Sequence, residues 1–120
     1  MGRSTIAGSY IGTHVIEESV SDNSIQPGDT SSGSIYSVYI DNTANSSTMY
    51  VKLFENASPT LGTTDPGFQF AVGPSSTIQY NFPQGIAYAT ALKWAVTQGG
   101  TDDNTTGPSS AVIVRITIST

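Results

Sequence analysis

The chain has 120 residues, with four Lys and Arg, nine Asp and Glu, one His and no Cys, so its formal net charge is −5. Only 11% of its residues are charged, whereas Ser and Thr together number 33. Without Cys there is no disulfide framework or thiolate metal site, four basic residues are too few for a nucleic-acid interface, and no run of about 18 apolar residues exists to span a membrane. The first residues lack the continuous apolar stretch of a signal peptide, so we expect the chain to be made in a cytoplasm.

Short apolar runs with a period of two predict β-strands, because alternation places one face on a core and the other toward solvent. In chain order the predicted strands cover residues 13–20, 34–40, 48–55, 68–72, 77–82, 87–96 and 112–118. We expect the second and third of these to pair as an antiparallel hairpin across the turn-rich linker 41–47. The segment 87–96 is rich in alanine, which favours a helix, but Leu92, Trp94 and Val96 alternate as core residues of a strand do.

Alternation also assigns side chains to faces. In the second predicted strand it places Tyr36 on the same face as Val38 and Ile40. Ile35 falls on the opposite face. In the last predicted strand, four aliphatic side chains share one face and Arg115 lies on the other.

Clusters of Gly and Pro separate these runs at spacings of about 8–12 residues, which is typical of a β-sandwich. We therefore predict an all-β protein, an antiparallel β-sandwich or jelly-roll-like domain of about seven strands. Residues 13–120 form this single domain, with a long loop at 21–33. Residues 1–12 contain three glycines among small polar and apolar residues, and we interpret them as an extended N-terminal arm.

The residues needed for catalysis are scarce. A hydrolase triad needs a base, normally His, and the one histidine, His14, is best interpreted as an edge-strand residue. Glu17 and Glu18 point to opposite faces of a strand and cannot act as a carboxylate pair. The loop 101–106 groups two Asp and an Asn, oxygen ligands that suit Ca²⁺, but it lacks the alternating pattern and closing Glu of an EF-hand and indicates a solvated hairpin loop. We expect no enzyme activity, no cofactor and no metal.

Three aromatic side chains fall on the second, non-core face of the predicted hairpin. They are Tyr39 in its first strand and Tyr50 and Phe54 in its second. Such rings either form a stacking platform for a sugar or are covered by a neighbouring protein. We favour the protein contact, because large apolar patches usually mark protein contacts.

Residues 48–118 carry an ordered series of turn and core motifs. In chain order these are Tyr50-Val-Lys-Leu-Phe54, Pro59-Thr-Leu-Gly-Thr-Thr-Asp-Pro66, Phe82-Pro-Gln-Gly-Ile86, Ala91-Leu-Lys-Trp-Ala-Val96, Gly100-Thr-Asp-Asp-Asn-Thr-Thr106 and the strand 112–118. The series resembles small β-sandwich virion proteins of tailed bacteriophages, including capsid decoration (cement) proteins. It covers about 60% of the chain, and residues 1–47 carry no such resemblance.

The resemblance implies a structural virion protein, most simply a decoration protein that binds the outer capsid surface and stabilises neighbouring capsid subunits. Its partner would be the major capsid protein, its own state a homo-oligomer (dimer or trimer), and its place the capsid exterior after synthesis in the host bacterial cytoplasm. No nucleic acid or membrane is expected as a partner. Alternatives are a neck, tail or fibre component, a carbohydrate- or receptor-binding module, and a bacterial surface subunit of the fimbrial type.

Candidate partner-binding residues come from two places in the sequence. The arm can pair with an exposed strand edge of the partner through backbone hydrogen bonds, and the second-face aromatics can pack against a neighbouring protein. The candidates are Arg3, Ile6, Tyr10, Ile11, Tyr39, Tyr50 and Phe54.

Overall fold

A computed structural model describes residues 14–119 of the chain, with side chains described from residue 19 onward. It contains eight strands: β1 (His14–Ser21), β2 (Gln26–Asp29), β3 (Gly33–Asp41), β4 (Met49–Phe54), β5 (Phe68–Val72), β6 (Thr77–Tyr88), β7 (Leu92–Thr97) and β8 (Val112–Ser119). They form two four-stranded antiparallel sheets, sheet A with the order β1-β8-β3-β6 and sheet B with the order β2-β7-β4-β5. The predicted all-β sandwich is confirmed. No helix among the described residues is long and apolar enough to cross a membrane.

The strand pairing is nested along the chain. Strand β4 pairs with β5, β3 with β6, β2 with β7 and β1 with β8, all antiparallel. Additional ladders between β3 and β8 and between β4 and β7 join these four pairs into the two sheets. The described chain is thus one long antiparallel ribbon, folded back at residues 55–67 and rolled up, which is the arrangement of a jelly roll.

The facing surfaces of the two sheets form a single apolar core. Sheet A contributes aliphatic side chains such as Val114 and Ile116, which are fully buried. Sheet B contributes Leu53 and Trp94, which lie opposite each other in the β4–β7 ladder. The indole Nε1 of Trp94 donates a hydrogen bond to Oγ of Ser21 at 3.1 Å, so its polar atom is satisfied inside the core. The predicted core position of Trp94 is confirmed.

The predicted hairpin between the second and third runs is wrong. These runs are β3 and β4, which belong to different sheets, and the linker between them crosses from sheet A to sheet B. The reason is physical: alternation shows that each strand buries one face, but two such strands can satisfy this either side by side in one sheet or face to face across the core.

Two strand boundaries also differ from the prediction. The segment 87–96 is not one strand, because β6 ends at Tyr88 and β7 begins at Leu92 in the other sheet. Conversely, the Pro83–Gly85 turn signal lies inside β6, where the β3–β6 ladder shifts register. A proline and a bulge are tolerated there because β6 is an edge strand, whose outer N–H groups have no neighbouring strand to bond.

The register shift also changes which side chains of β3 face the core. Both ladders of β3 shift register between Ile35 and Ser37. Ile35 is therefore fully buried together with Val38, whereas Tyr36 is only half-buried. The predicted grouping of Tyr36 with the core face is wrong, because a bulge adds a residue and reverses the alternation on one side of it.

Strand β2 lies within the predicted loop 21–33 and carries no apolar alternation. It pairs with β7 through an irregular register that includes Gly28. Gly28 has φ = +53°, and a Cβ there would lie 2.0 Å from the carbonyl oxygen of Leu92. Glycine is required here both for its backbone conformation and for the close approach of the two chains.

We expect Gly28→Ala to lower the free energy of unfolding by about 3 kcal/mol, because the backbone is strained and β2 must move away from β7. Urea denaturation followed by Trp94 fluorescence measures this effect. Gly73→Ala is the control, since a Cβ at Gly73 meets only Oγ of Ser76 at 3.3 Å and should change stability by less than about 1 kcal/mol. Equal stability of the two variants would contradict the assignment of β2.

Candidate functional site

The outer face of sheet B is covered by the protein's own loops. Outward-facing side chains of β4 and β7 have little exposure: Lys52 is 0% exposed, Phe54 1% and Lys93 9%. The cover comes from the β4–β5 connection, residues 55–67, and the β7–β8 connection, residues 98–111. The loops therefore cover most of β4 and β7 on this side of the sandwich, and Gln69 and Ala71 of β5 remain exposed.

The ammonium group of Lys52 holds the β7–β8 connection in place. Its Nζ donates hydrogen bonds to the carbonyl oxygens of Thr101 at 2.5 Å and Asn104 at 3.1 Å. Burial lowers the pKa of Lys52, and the nearby carboxylates of Asp102 and Asp103 oppose this shift by favouring the charged form. The loop 101–106 is mostly exposed, as predicted, but it is not a hairpin loop, because β7 and β8 belong to different sheets.

The two covering loops also contact each other and the strands beneath them. A Cβ on Gly62 would lie 2.6 Å from Cγ2 of Thr105, which shows how closely the loops approach. A Cβ on Gly100 would lie 3.0 Å from the ring of Tyr50. Nε2 of Gln69 donates to the carbonyl oxygen of Gly100 at 3.1 Å. Tyr50 is therefore half-covered by the β7–β8 connection.

A buried pair of asparagines joins three connections at one end of the sandwich. Asn42 and Asn45 lie in the β3–β4 connection, and Nδ2 of Asn45 donates to Oδ1 of Asn42 at 2.9 Å. Asn42 also donates to the carbonyl oxygen of Gly73 at 2.9 Å, and Asn45 exchanges two hydrogen bonds with the backbone of Ser110. The sequence of this connection shows only turn-forming residues, because hydrogen-bond partners up to 65 positions away carry no local signal.

The outer face of sheet A, in contrast, is open. Its centre is the ring of Tyr39, with the guanidinium carbon of Arg115 5.1 Å from the ring centroid in a cation–π contact. Arg115 and Gln79 are exposed, and Thr117 is half-buried. At the edge of the face Val20 is 70% exposed. These side chains form a broad surface with one aromatic ring and one cation at its centre.

The structure separates the three aromatic rings of the predicted second-face cluster. Tyr39 lies on the outer face of sheet A, whereas Tyr50 and Phe54 lie on the outer face of sheet B beneath the loops. A shared platform of these rings does not form, because the predicted hairpin that grouped them does not exist. The four candidates in the arm, Arg3, Ile6, Tyr10 and Ile11, lie outside the described residues.

The described residues contain no enclosed pocket and no group of three or more His, Cys, Asp or Glu placed to hold a metal ion. The backbone of His14 lies in β1, an edge strand of sheet A, and Glu17 and Glu18 lie in the same strand. The candidate functional site is therefore an extended surface, the outer face of sheet A. Comparison with protein-family models, curated proteins and solved structures gives no significant match.

We expect Lys52→Met to release the β7–β8 connection, because two buried carbonyl oxygens lose their charged donor. The free energy of unfolding should fall by about 2 kcal/mol. Hydrogen exchange should accelerate about tenfold or more at the loop amides of Gln98 and Asn104, which donate to the carbonyl oxygens of Thr106 and Thr101.

Lys93→Met is the matched control, because it removes a buried ammonium of the same size from the same face. Lys93 donates to the carbonyl oxygen of Pro27 in β2 and not to the β7–β8 connection. Loop amides that exchange at the wild-type rate in Lys52→Met, or equally fast in both variants, would contradict the role assigned to Lys52.

Proposed function

We propose that this protein is a structural virion protein of a tailed bacteriophage, a capsid decoration protein that binds the outer surface of the major capsid protein shell. It is made in the host bacterial cytoplasm and acts as a homo-oligomer on the capsid exterior. Binding to the assembled shell and not to its dissociated subunits stabilises the shell by mass action. Several contacts made by one oligomer add avidity without requiring a tighter individual contact.

The observation that carries this proposal is the difference between the two outer faces of the sandwich. Sheet B is covered by loops that bury even its lysines, whereas sheet A presents an open face with Tyr39 at its centre. A protein that works by being bound needs one broad exposed surface on a rigid scaffold. The order of motifs that resembles decoration proteins supports the same function.

The chemistry of the open face suits a protein partner. Tyr and Arg are enriched among the residues that dominate binding energy at interfaces, and here Tyr39 and Arg115 stack at the centre of the sheet. Arg115 is the one basic side chain exposed among those described, since Lys52 and Lys93 are buried. The Tyr39–Arg115 pair is therefore the part of the open face best suited to a protein contact.

We expect the purified protein to sediment with undecorated capsids. Thr117→Glu should weaken this binding about tenfold or more, because it places a carboxylate that must be desolvated on the bound face, two positions along β8 from Arg115. Thr63→Glu introduces the same residue at an exposed position of the β4–β5 connection, away from sheet A, and should bind as the wild type does. Quantitative co-sedimentation over a concentration series measures the capsid affinity of both variants.

Two outcomes would overturn the proposal in different ways. If wild-type protein does not sediment with capsids, the decoration function is wrong, and purified tails and a glycan array then test the neck or tail and the carbohydrate-binding alternatives. If Thr117→Glu binds as well as Thr63→Glu, the capsid is bound through another surface than sheet A.

The predicted arm has its own test. Deletion of residues 2–12 should lower capsid occupancy and the heat resistance of decorated capsids, because the arm would no longer pair with a strand edge of the shell. Release of packaged DNA on heating measures the heat resistance of the capsids. Unchanged occupancy and unchanged heat resistance would show that the arm does not contact the shell.

A further inference from the structure

The two edge strands on one flank of the sandwich carry no charge, and the flank is bordered by Asp41, opposite Thr77, and by Glu55, beside Gly67. Residues 66–92 contain no Asp, Glu, Lys, Arg or His, although the whole chain has a net charge of −5. These residues include β5 and β6, which are the edge strands of sheets B and A on the same side of the sandwich. The neutral flank is therefore a contiguous feature of the fold.

The same flank exposes apolar side chains. The large apolar residues that pack only partly against the core are all on β5 and β6: Phe68, Phe70, Tyr80, Phe82 and Ile86. The ring of Phe70 lies 5.0 Å from that of Tyr80 and 5.8 Å from that of Phe82, measured between centroids. Ile78 is 37% exposed. These side chains form an apolar seam that extends from the core to the surface between β5 and β6.

Of the edge strands, β6 alone lacks a feature that blocks further pairing. Strand β2 has four residues, including Pro27 and an irregular register, and β1 contains two adjacent acidic residues. Strand β5 has five residues, and the hydroxyl of Tyr80 donates to its Ala71 carbonyl at 2.7 Å. Strand β6 has 12 residues, and its proline and bulge affect only the second half. Its first half, residues 77–82, is uncharged, and residues 77–81 pair regularly with β3. A regular, uncharged edge of this kind pairs readily with another chain.

We propose that the occupant of this edge is a second copy of the same chain, with residues 77–82 of two protomers paired antiparallel about a two-fold axis. The pairing joins two copies of sheet A into one eight-stranded sheet. A second copy is favoured over other occupants by charge, because two molecules that each carry −5 can approach at the neutral flank without opposing their carboxylates. The contact is isologous and therefore closes at two copies.

The two-fold axis restricts the register. Residues directly opposite in an antiparallel pair point to the same side of the sheet, so core-facing Tyr80 must meet core-facing residues and outward-facing Gln79 must meet outward-facing ones. Two registers satisfy this condition and keep five of the six residues 77–82 paired. One places Gln79 opposite its own copy, and the other places Gln79 opposite Asn81. In both, the two Gln79 side chains are direct or diagonal neighbours across the pair.

The experiment measures the oligomeric state of the free protein, residues 1–120, by sedimentation velocity over a concentration series. Wild-type protein should be a dimer. Gln79→Lys and Gln79→Glu should each raise the dimer dissociation constant about tenfold or more, because like charges meet near the two-fold axis. An equimolar mixture of the two variants should recover the dimer, because opposite charges then face each other. This recovery also shows that both variants are folded.

Gln98→Lys is the matched control, since Gln98 is exposed in the β7–β8 connection away from β6, and it should remain a dimer. Deletion of residues 2–12 should also leave the dimer intact. A monomeric or trimeric wild type, a mixture of Gln79 variants that stays monomeric, or loss of the dimer on arm deletion would each overturn the inference. The use of this dimer on a capsid rests on the proposed function. The sedimentation measurement needs no capsid, so the dimer and the decoration function can each fail without the other.

Discussion

The nested pairing of strands is the constraint on which the rest of this structure depends. Strand β4 pairs with β5, β3 with β6, β2 with β7 and β1 with β8, and the ladders β3–β8 and β4–β7 roll this ribbon into two sheets of four. This decides which strands become edges: β1 and β2 on one flank, β5 and β6 on the other. It also brings the connections after β1, β3, β5 and β7 to one end, where Asn42 and Asn45 join three of them.

The second determinant is the path of the β7–β8 connection. This loop turns back over sheet B and is held by the ammonium of Lys52, so that one outer face of the sandwich becomes interior. Burying a lysine carries a desolvation penalty, which two carbonyl oxygens and two neighbouring carboxylates partly offset. The arrangement removes positive charge from the surface of sheet B and leaves Arg115 on sheet A as the exposed cation among the described side chains. The two faces of the sandwich therefore differ in both exposure and charge.

The sequence predicted most of the strands but not their partners. Period-two alternation located β3, β4, β5 and β8 well, since each buries one face on the core. It could not distinguish neighbours within a sheet from neighbours across the core, so β3 and β4 were expected to form a hairpin. The bulge at Ile35–Ser37 and the glycine-dependent strand β2 carry no periodic signal. Alternation places Lys52 on the same non-core face as Tyr50 and Phe54, but its burial depends on a loop about 50 residues further along the chain, which no local pattern reveals.

Hydroxyl groups of Ser, Thr and Tyr donate hydrogen bonds that fix the positions of some of the few carboxylates in this chain. The hydroxyl and amide of Thr43 donate to Asp41 and lower the pKa of that carboxyl. Burial raises the pKa of Asp29, but the hydroxyl of Tyr88 and the donors of Ser31 lower it further than burial raises it. A carboxyl whose pKa is lowered on folding stabilises the fold above its ordinary pKa and loses that contribution as the pH falls through the folded value. Hydroxyl groups thus hold Asp29 and Asp41 in place through local hydrogen bonds. The uncharged stretch 66–92 separately leaves β5 and β6 without acidic side chains that would oppose contact with another protein.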